Sequence, residues 1–284
     1  MSLDSNADAY SNVQGEVGVT CVPDAIDFSQ SNSKKFRIAT LLSAIVAGVA
    51  GGTILNIFFS ATTSITGMFL VLALIGGGLS TWSPCGYSSL SLLRPAGKYS
   101  LGSVLRWSPT FITHAIGYAV GALMLGGILG FAGWLAFESV SFALMTGILS
   151  VLAIAYGAHQ LGFLKMPYPQ RRAQVPHDAR FRFRSSTIGL LYGYALGMNY
   201  LTYVQTPILY IVTGAALLTA DVKTAIAIIA VFNIGRCLPV AVNFLPISNH
   251  SVQVWLAKWQ ERAVELDGFL LISMGIAALM LLTF

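Results

Sequence analysis

Beyond residue 37 the chain alternates long apolar stretches with short polar gaps. Seven apolar segments stand out, at 38–59, 65–93, 109–136, 140–164, 186–219, 224–245 and 264–284. A helix needs roughly 20 mostly apolar residues to cross a bilayer. The pattern therefore predicts an all-α polytopic membrane protein with seven transmembrane helices. Some segments exceed one bilayer thickness, which tilt, interfacial extension or a break absorbs. Ahead of the last segment, 250–267 carries charges of both signs with Val252, Trp255, Leu256, Trp259 and Val264 at helical spacing. That stretch reads as a short amphipathic helix lying at the cytoplasmic interface.

The basic residues sharpen this picture. Lys34, Lys35 and Arg37 precede the first segment, and Arg94, Lys98 and Arg106 lie between the second and third. Lys165, Arg171, Arg172, Arg180, Arg182 and Arg184 lie between the fourth and fifth, and Lys258 and Arg262 between the sixth and seventh. The alternate gaps hold only Lys223. Positive charge collects on the cytoplasmic side, so the expected topology is an N-terminus in the cytoplasm and a C-terminus in the periplasm, across a bacterial inner membrane. The alternation also supports seven crossings, because merging two segments would scramble it.

Composition excludes a separate soluble enzyme domain. Of 284 residues, 55% are hydrophobic and 10% charged, against roughly 25% charged in soluble domains. The net charge of +5 lies beside apolar runs, with no basic-aromatic surface for nucleic acid. Residues 1–37 form a polar tail whose Asp4, Asp8, Glu16, Asp24 and Asp27 do not fit the basic start of a cleavable signal. The expected organisation is a cytoplasmic tail over 1–37, an extra N-terminal transmembrane helix over 38–59, and a six-helix domain over 62–284. Cys21, Cys85 and Cys237 make no disulfide framework, and Cys21 in the tail is read as incidental.

Candidate chemistry lies inside the apolar segments. The second contains Trp82-Ser83-Pro84-Cys85-Gly86, where proline removes a backbone donor and membrane depth requires protein or water to answer the freed carbonyl. The sixth contains Asn233-Ile234-Gly235-Arg236-Cys237-Leu238-Pro239. An arginine within the membrane costs roughly 2.5–3.5 kcal/mol on insertion scales. Arg236 either snorkels or is answered by a cavity, backbone carbonyls, an anionic ligand or a thiolate. Cys85, Cys237, His114, His159 and Arg236 all fall at similar cytoplasmic depth. Two thiols at one depth form a disulfide if their helices touch with suitable geometry, and a neighbouring cation favours the thiolate. A Cys/His metal site is the other use of these groups, but the spacing fits no metal motif; no cofactor is expected. The histidines read more simply as helix-packing hydrogen-bond donors. The fifth segment is polar in its middle, from Met198-Asn199-Tyr200 to Gln205-Thr206-Pro207. It reads as a second broken helix, and broken helices at matching positions in inverted three-helix halves point to a central site.

Ser83-Pro84-Cys85-Gly86, the Ala195-Leu196-Gly197 run before the second break, and the six helices after an extra first one resemble the membrane domain shared by CcdA and DsbD. The Gly235–Pro239 segment resembles that family's fifth helix, with Cys237 as an addition. The resemblance covers residues 62–284. It implies a carrier of reducing equivalents from cytoplasmic thioredoxin to periplasmic thioredoxin-like proteins, using one cysteine in each half. The family's second cysteine belongs in a Thr-Pro-Cys-like run after Gly197, and the fifth segment contains no cysteine. Either Cys237 partners Cys85 or the relay is lost. The length, the extra helix and the altered pattern look most like a branch associated with maturing periplasmic methylamine dehydrogenase, with its disulfide-rich small subunit as an indirect partner. Three functions stay open: thiol-disulfide handling by Cys85, Cys237 and Arg236; a small-solute transporter with an anion site at Arg236; and a non-catalytic scaffold for maturation partners.

Overall fold

The computed structural model describes residues 34–95, 99–167, 169 and 184–283. Cys21, most of the expected tail and most of the loop over 168–183 lie outside the described residues. Within them the chain is helical, with no strand. Nine α-helices follow one another: α1 (Lys34–Phe58), α2 (Ala61–Leu79), α3 (Pro84–Leu92), α4 (Leu101–Phe137), α5 (Phe142–Gln160), α6 (Ser185–Gly197), α7 (Ile208–Leu218), α8 (Val222–Cys237) and α9 (Asn249–Thr283). Short 3-10 turns occupy Ser80–Trp82 and Leu238–Phe244. Six stretches are long and apolar enough to cross a membrane, beginning at Lys34, Ala61, Leu101, Phe142, Val222 and Asn249.

The remaining expected crossing, 186–219, is split. At 1.5 Å per residue α6 is about 20 Å long and α7 about 17 Å, each short of a hydrocarbon core of ~30 Å. Two expectations are corrected. The third segment begins eight residues early, at Leu101, and runs through Pro109. Ser108 Oγ donates to the Leu105 carbonyl that Pro109, lacking an N–H, leaves unanswered. The amphipathic stretch is not a separate helix, because α9 runs unbroken for 35 residues. No glycine or proline interrupts 249–267, so nothing ends the helix at the interface.

Helix starts are set locally. Ser60, Ser100, Ser141 and Asp221 accept backbone N–H groups at the N-termini of α2, α4, α5 and α8, satisfying donors that a helix start leaves open. Packing then follows a pairwise scheme. α6 lies on α4, α8 on both α4 and α2, and α9 on both α5 and α1. Exchanging α2 with α6–α7, α4 with α8, and α5 with α9 maps the contacts among these helices onto one another, and only the α9–α1 contact, made by the first helix, has no counterpart. The same device makes the two equivalent contacts close. A Cβ on Gly77 of α2 would fall on the Phe232 carbonyl of α8, and one on Gly193 of α6 on the His114 carbonyl of α4. Small residues let backbones approach where lipid gives no hydrophobic drive between helices.

The core centres on α7, where Ile208, Leu209 and Val212 are inaccessible and pack with Leu72, Ile228, Phe232 and Leu271. α1 is peripheral. It seats Ala44, Gly48 and Gly52 against the bundle and leaves Ile38, Leu42, Val46, Ile54 and Ile57 exposed, as a lipid-facing helix does.

Candidate functional site: two helix breaks and a buried arginine

The first break follows α2. After the 3-10 turn, Ser83 is extended and Pro84 opens α3, where a missing N–H costs nothing. Cys85 therefore sits in the first turn of a half-helix, 3% exposed. Gly86 lets that turn lie against Ser80 and Thr81, since a Cβ there would strike their backbone. The second break runs from Met198 to Pro207, where Pro207 caps α7. The breaks abut: the Gln205 N–H donates to Ser83 Oγ at 2.7 Å. Cys85 follows Pro84 as Ile208 follows Pro207, so isoleucine stands at the second-half counterpart of Cys85.

Asn199 makes the second break possible. Its φ of 55° lies in the left-handed region, which Asn tolerates better than most residues. α8 holds this conformation with two side chains three positions apart. Arg236 Nη1 donates to the Leu196 carbonyl at 2.7 Å and to Asn199 Oδ1 at 3.0 Å. Its Nη2 donates to Thr202 Oγ1 at 3.2 Å. Asn199 Nδ2 donates to Asn233 Oδ1, and Asn233 Nδ2 to the Gly197 and Tyr118 carbonyls. Arg236 is only 2% exposed. It is answered by one backbone carbonyl and two neutral side chains and does not snorkel.

The same arginine borders the thiols. Cys85, Tyr118 and Leu196 form a buried cluster against which Cys237 packs. The Tyr118 phenol is within electrostatic reach of Arg236 and of both cysteines. No disulfide joins Cys85 to Cys237. His114 meets Tyr118 edge to face at 5.0 Å, and its Nδ1 pairs with the Gly189 carbonyl at 3.1 Å. Three buried polar atoms gathered here have no hydrogen-bond partner among the described residues: His114 Nε2, Tyr118 Oη and Arg236 Nε. Cys237 also lines a cavity of about 400 Å³ between α4 and α8, with Phe111, Tyr118, Ala230 and Asn233. Thus Cys85, Cys237, Arg236, Tyr118 and His114 come together. His159 does not join them; its Nδ1 accepts from the Met166 N–H in the loop after α5. Pro239 lies in the 3-10 turn after Cys237.

Sequence reasoning missed two polar residues. Asn233 was legible as the i–3 neighbour of Arg236 on one helix face. Asp267, on α9, is 2% exposed and accepts from Thr206 Oγ1 and Gln160 Nε2, both at 2.6 Å. Its place among the charges of 258–267 disguised it as surface. No group of three or more His, Cys, Asp or Glu residues suited to a metal occurs among the described residues.

These features define a polytopic α-helical membrane protein built on two apposed helix breaks, one bearing a cysteine and the other fastened by a buried arginine. Comparison with known proteins gives the family. The chain is 70% identical to the methylamine utilization protein MauF of Methylobacillus flagellatus over 99% of both chains. It is 64% identical to that of Methylophilus methylotrophus over 99% of both. The Paracoccus denitrificans protein is 54% identical over 91% of this chain and 92% of its own. The chain belongs to the MauF family. No family model and no solved structure matches it.

Proposed function

We propose that this protein acts in methylamine utilization as an inner-membrane factor for maturing periplasmic methylamine dehydrogenase, and that it does so by handling thiols. The relatives' shared name supplies the process. The observation that carries the chemistry is the convergence of Cys85 and Cys237 on Tyr118 beside Arg236. In this reading the two thiols reduce a disulfide of a periplasmic thioredoxin-like protein, forming a Cys85–Cys237 disulfide and two partner thiols. Cytoplasmic thioredoxin then restores the pair; each exchange moves two electrons and two protons. In this reading Arg236 positions the pair by holding the Leu196 carbonyl, whose residue packs on Cys85. The basic gaps support an N-terminus on the cytoplasmic side, and the exchangeable packing of the helices after the first supports two inverted three-helix halves.

One observation favours the scaffold reading instead. Ile208 occupies the second-half counterpart of Cys85, so the second break brings no thiol of its own. For the transporter reading, both terminal nitrogens of Arg236 already donate to protein acceptors.

Thiol trapping in native membranes decides among these. A maleimide mass tag that adds to Cys85 and Cys237 only after reduction, in a Cys21→Ser background, supports the pair. Free tagging under oxidising conditions, together with full growth on methylamine of the Cys85→Ser/Cys237→Ser double variant, removes the thiol reading and leaves the scaffold.

A further inference from the structure

We infer that Asp267 of α9 is a proton-binding site bonded to the second helix break. It goes beyond the thiol reading and involves neither cysteine. Asp267 lies about 24 Å from the C-terminal end of α9 at 1.5 Å per residue, a depth inside a hydrocarbon core of ~30 Å. Oδ1 accepts from the Thr206 hydroxyl and Oδ2 from the Gln160 amide. Both donors are neutral.

No charged group offsets the carboxyl. On α5, the Tyr156 hydroxyl donates to the Pro167 carbonyl and His159 serves its own loop. On α1, Arg37 Nε donates to the Leu161 carbonyl. α2 carries no titratable residue. Tyr210 of α7 stacks on Tyr156, and Arg262 and Glu265 on α9 itself are not among the partners of Asp267. A carboxylate buried without a counter-ion is costly, and a proton removes that charge.

The proton has a way in. A cavity of about 20 Å³ beside the carboxyl is lined by Trp82, Gln160, Gln205, Thr206 and Asp267. One water needs roughly 10–15 Å³, so a single molecule fits and relays a proton taken up from bulk water, itself staying neutral while the carboxyl goes from one negative charge to none. A metal ion suits the site less well. Both carboxyl oxygens already face hydrogen donors, whereas a hard cation requires several oxygens turned towards it.

Protonation is read out at the break itself. Thr206 Oγ1 accepts from the Ile208 N–H at 3.2 Å while giving its only hydrogen to Asp267. A proton on Oδ1 makes Asp267 the donor and releases the Thr206 hydrogen, changing the first turn of α7 next to Ser83.

Infrared difference spectroscopy of the full-length protein in lipid vesicles, titrated with pH, tests this. The expected result is a protonated-carboxyl stretch that changes intensity with pH. It is wholly lost in Asp267→Asn and displaced in Asp267→Glu and in Thr206→Val, which keep the acid. It persists in Cys85→Ser/Cys237→Ser, so failure here is separate from failure of the thiol reading. Absence of any pH-sensitive carboxyl band, or a band unchanged in all three Asp267 and Thr206 variants, overturns the inference. A band erased at constant pH when choline is replaced by sodium also overturns it, by assigning the site to a metal cation.

Discussion

Arg236 donates to Asn199 Oδ1 at 3.0 Å, and that bond fastens an intact helix to the unwound stretch of its neighbour. Asn199 passes the polarity on to Asn233, so each side chain donates to the next and the last carbonyls belong to the backbone. Removing the guanidinium strands the Leu196 carbonyl, Asn199 Oδ1 and Thr202 Oγ1 together. Each unsatisfied buried group costs about 1–3 kcal/mol. Arg236→Leu is therefore expected to lower thermal stability in detergent more than any single cysteine substitution. Arg236→Lys keeps the charge but not the planar fork and falls between Arg236→Leu and the natural protein. Light-scattering melting curves of the three proteins check the order.

Gly193 and Gly51 are both helical but differ in surroundings. A Cβ on Gly193 would fall on the His114 carbonyl, whereas one on Gly51 meets nothing within 4 Å. Gly193→Ala should destabilise by about 1–3 kcal/mol through overpacking. Gly51→Ala should be neutral or stabilising by up to about 1 kcal/mol through helix propensity. Melting temperatures of the two variants give the comparison directly.

Cys237 and Cys85 differ in access from the side of the bundle. Cys237 lines the α4–α8 cavity, while Cys85 is 3% exposed. A lipid-soluble maleimide is expected to label Cys237 several-fold faster than Cys85 in reduced membranes. Ala230→Trp, which fills the cavity, should remove most of that difference. Equal rates would show that the cavity gives the reagent no route.

Asp221 offers a pH-dependent measurement at the membrane surface. The Thr224 hydroxyl and backbone N–H hold its carboxyl below the usual carboxylate range. A depressed acid contributes stability above its unfolded-state pKa and loses it as pH falls through the folded one. Asp221→Ala is expected to cost about 1 kcal/mol near neutral pH, as lost N-caps do. The gap between the two proteins closes in acid, below the ordinary carboxylate range. Asp221→Asn, itself a good cap, retains most of the stability with little pH dependence.

How much the sequence showed depended on how local the cause was. Runs of apolar residues fixed where helices lie, and Pro84 and Pro207 marked both breaks, because proline acts on its own turn. Ser108 was harder to read, since its service to Leu105 keeps α4 helical through Pro109 despite the proline. Arg236 stands out as a buried charge that backbone carbonyls could answer, but Leu196, Asn199 and Thr202 could not be singled out, for they lie at the end of α6 and in the unwound stretch after it, 34–40 residues away. Asp267 was lost for the opposite reason. It follows a charged stretch that continues the same helix, and only tertiary packing turns its face inward. The thiol cluster was half legible: equal depth suggested Cys85 and Cys237, while Tyr118 in the same cluster carried no signal of its own.

The hydrogen bond from Gln205 to Ser83 joins residues 122 positions apart. Synthesis is vectorial, so the first break emerges from the ribosome long before its partner exists. Until the second half is inserted, Ser83 and the turn around it must be satisfied by water, lipid headgroups or the insertion machinery. The first half is thus an unfinished object in the bilayer, completed only by the arrival of α6 and α7. Truncation after α5 should leave a fragment that inserts but stays sensitive to membrane quality control, and supplying the missing half as a separate chain should rescue it.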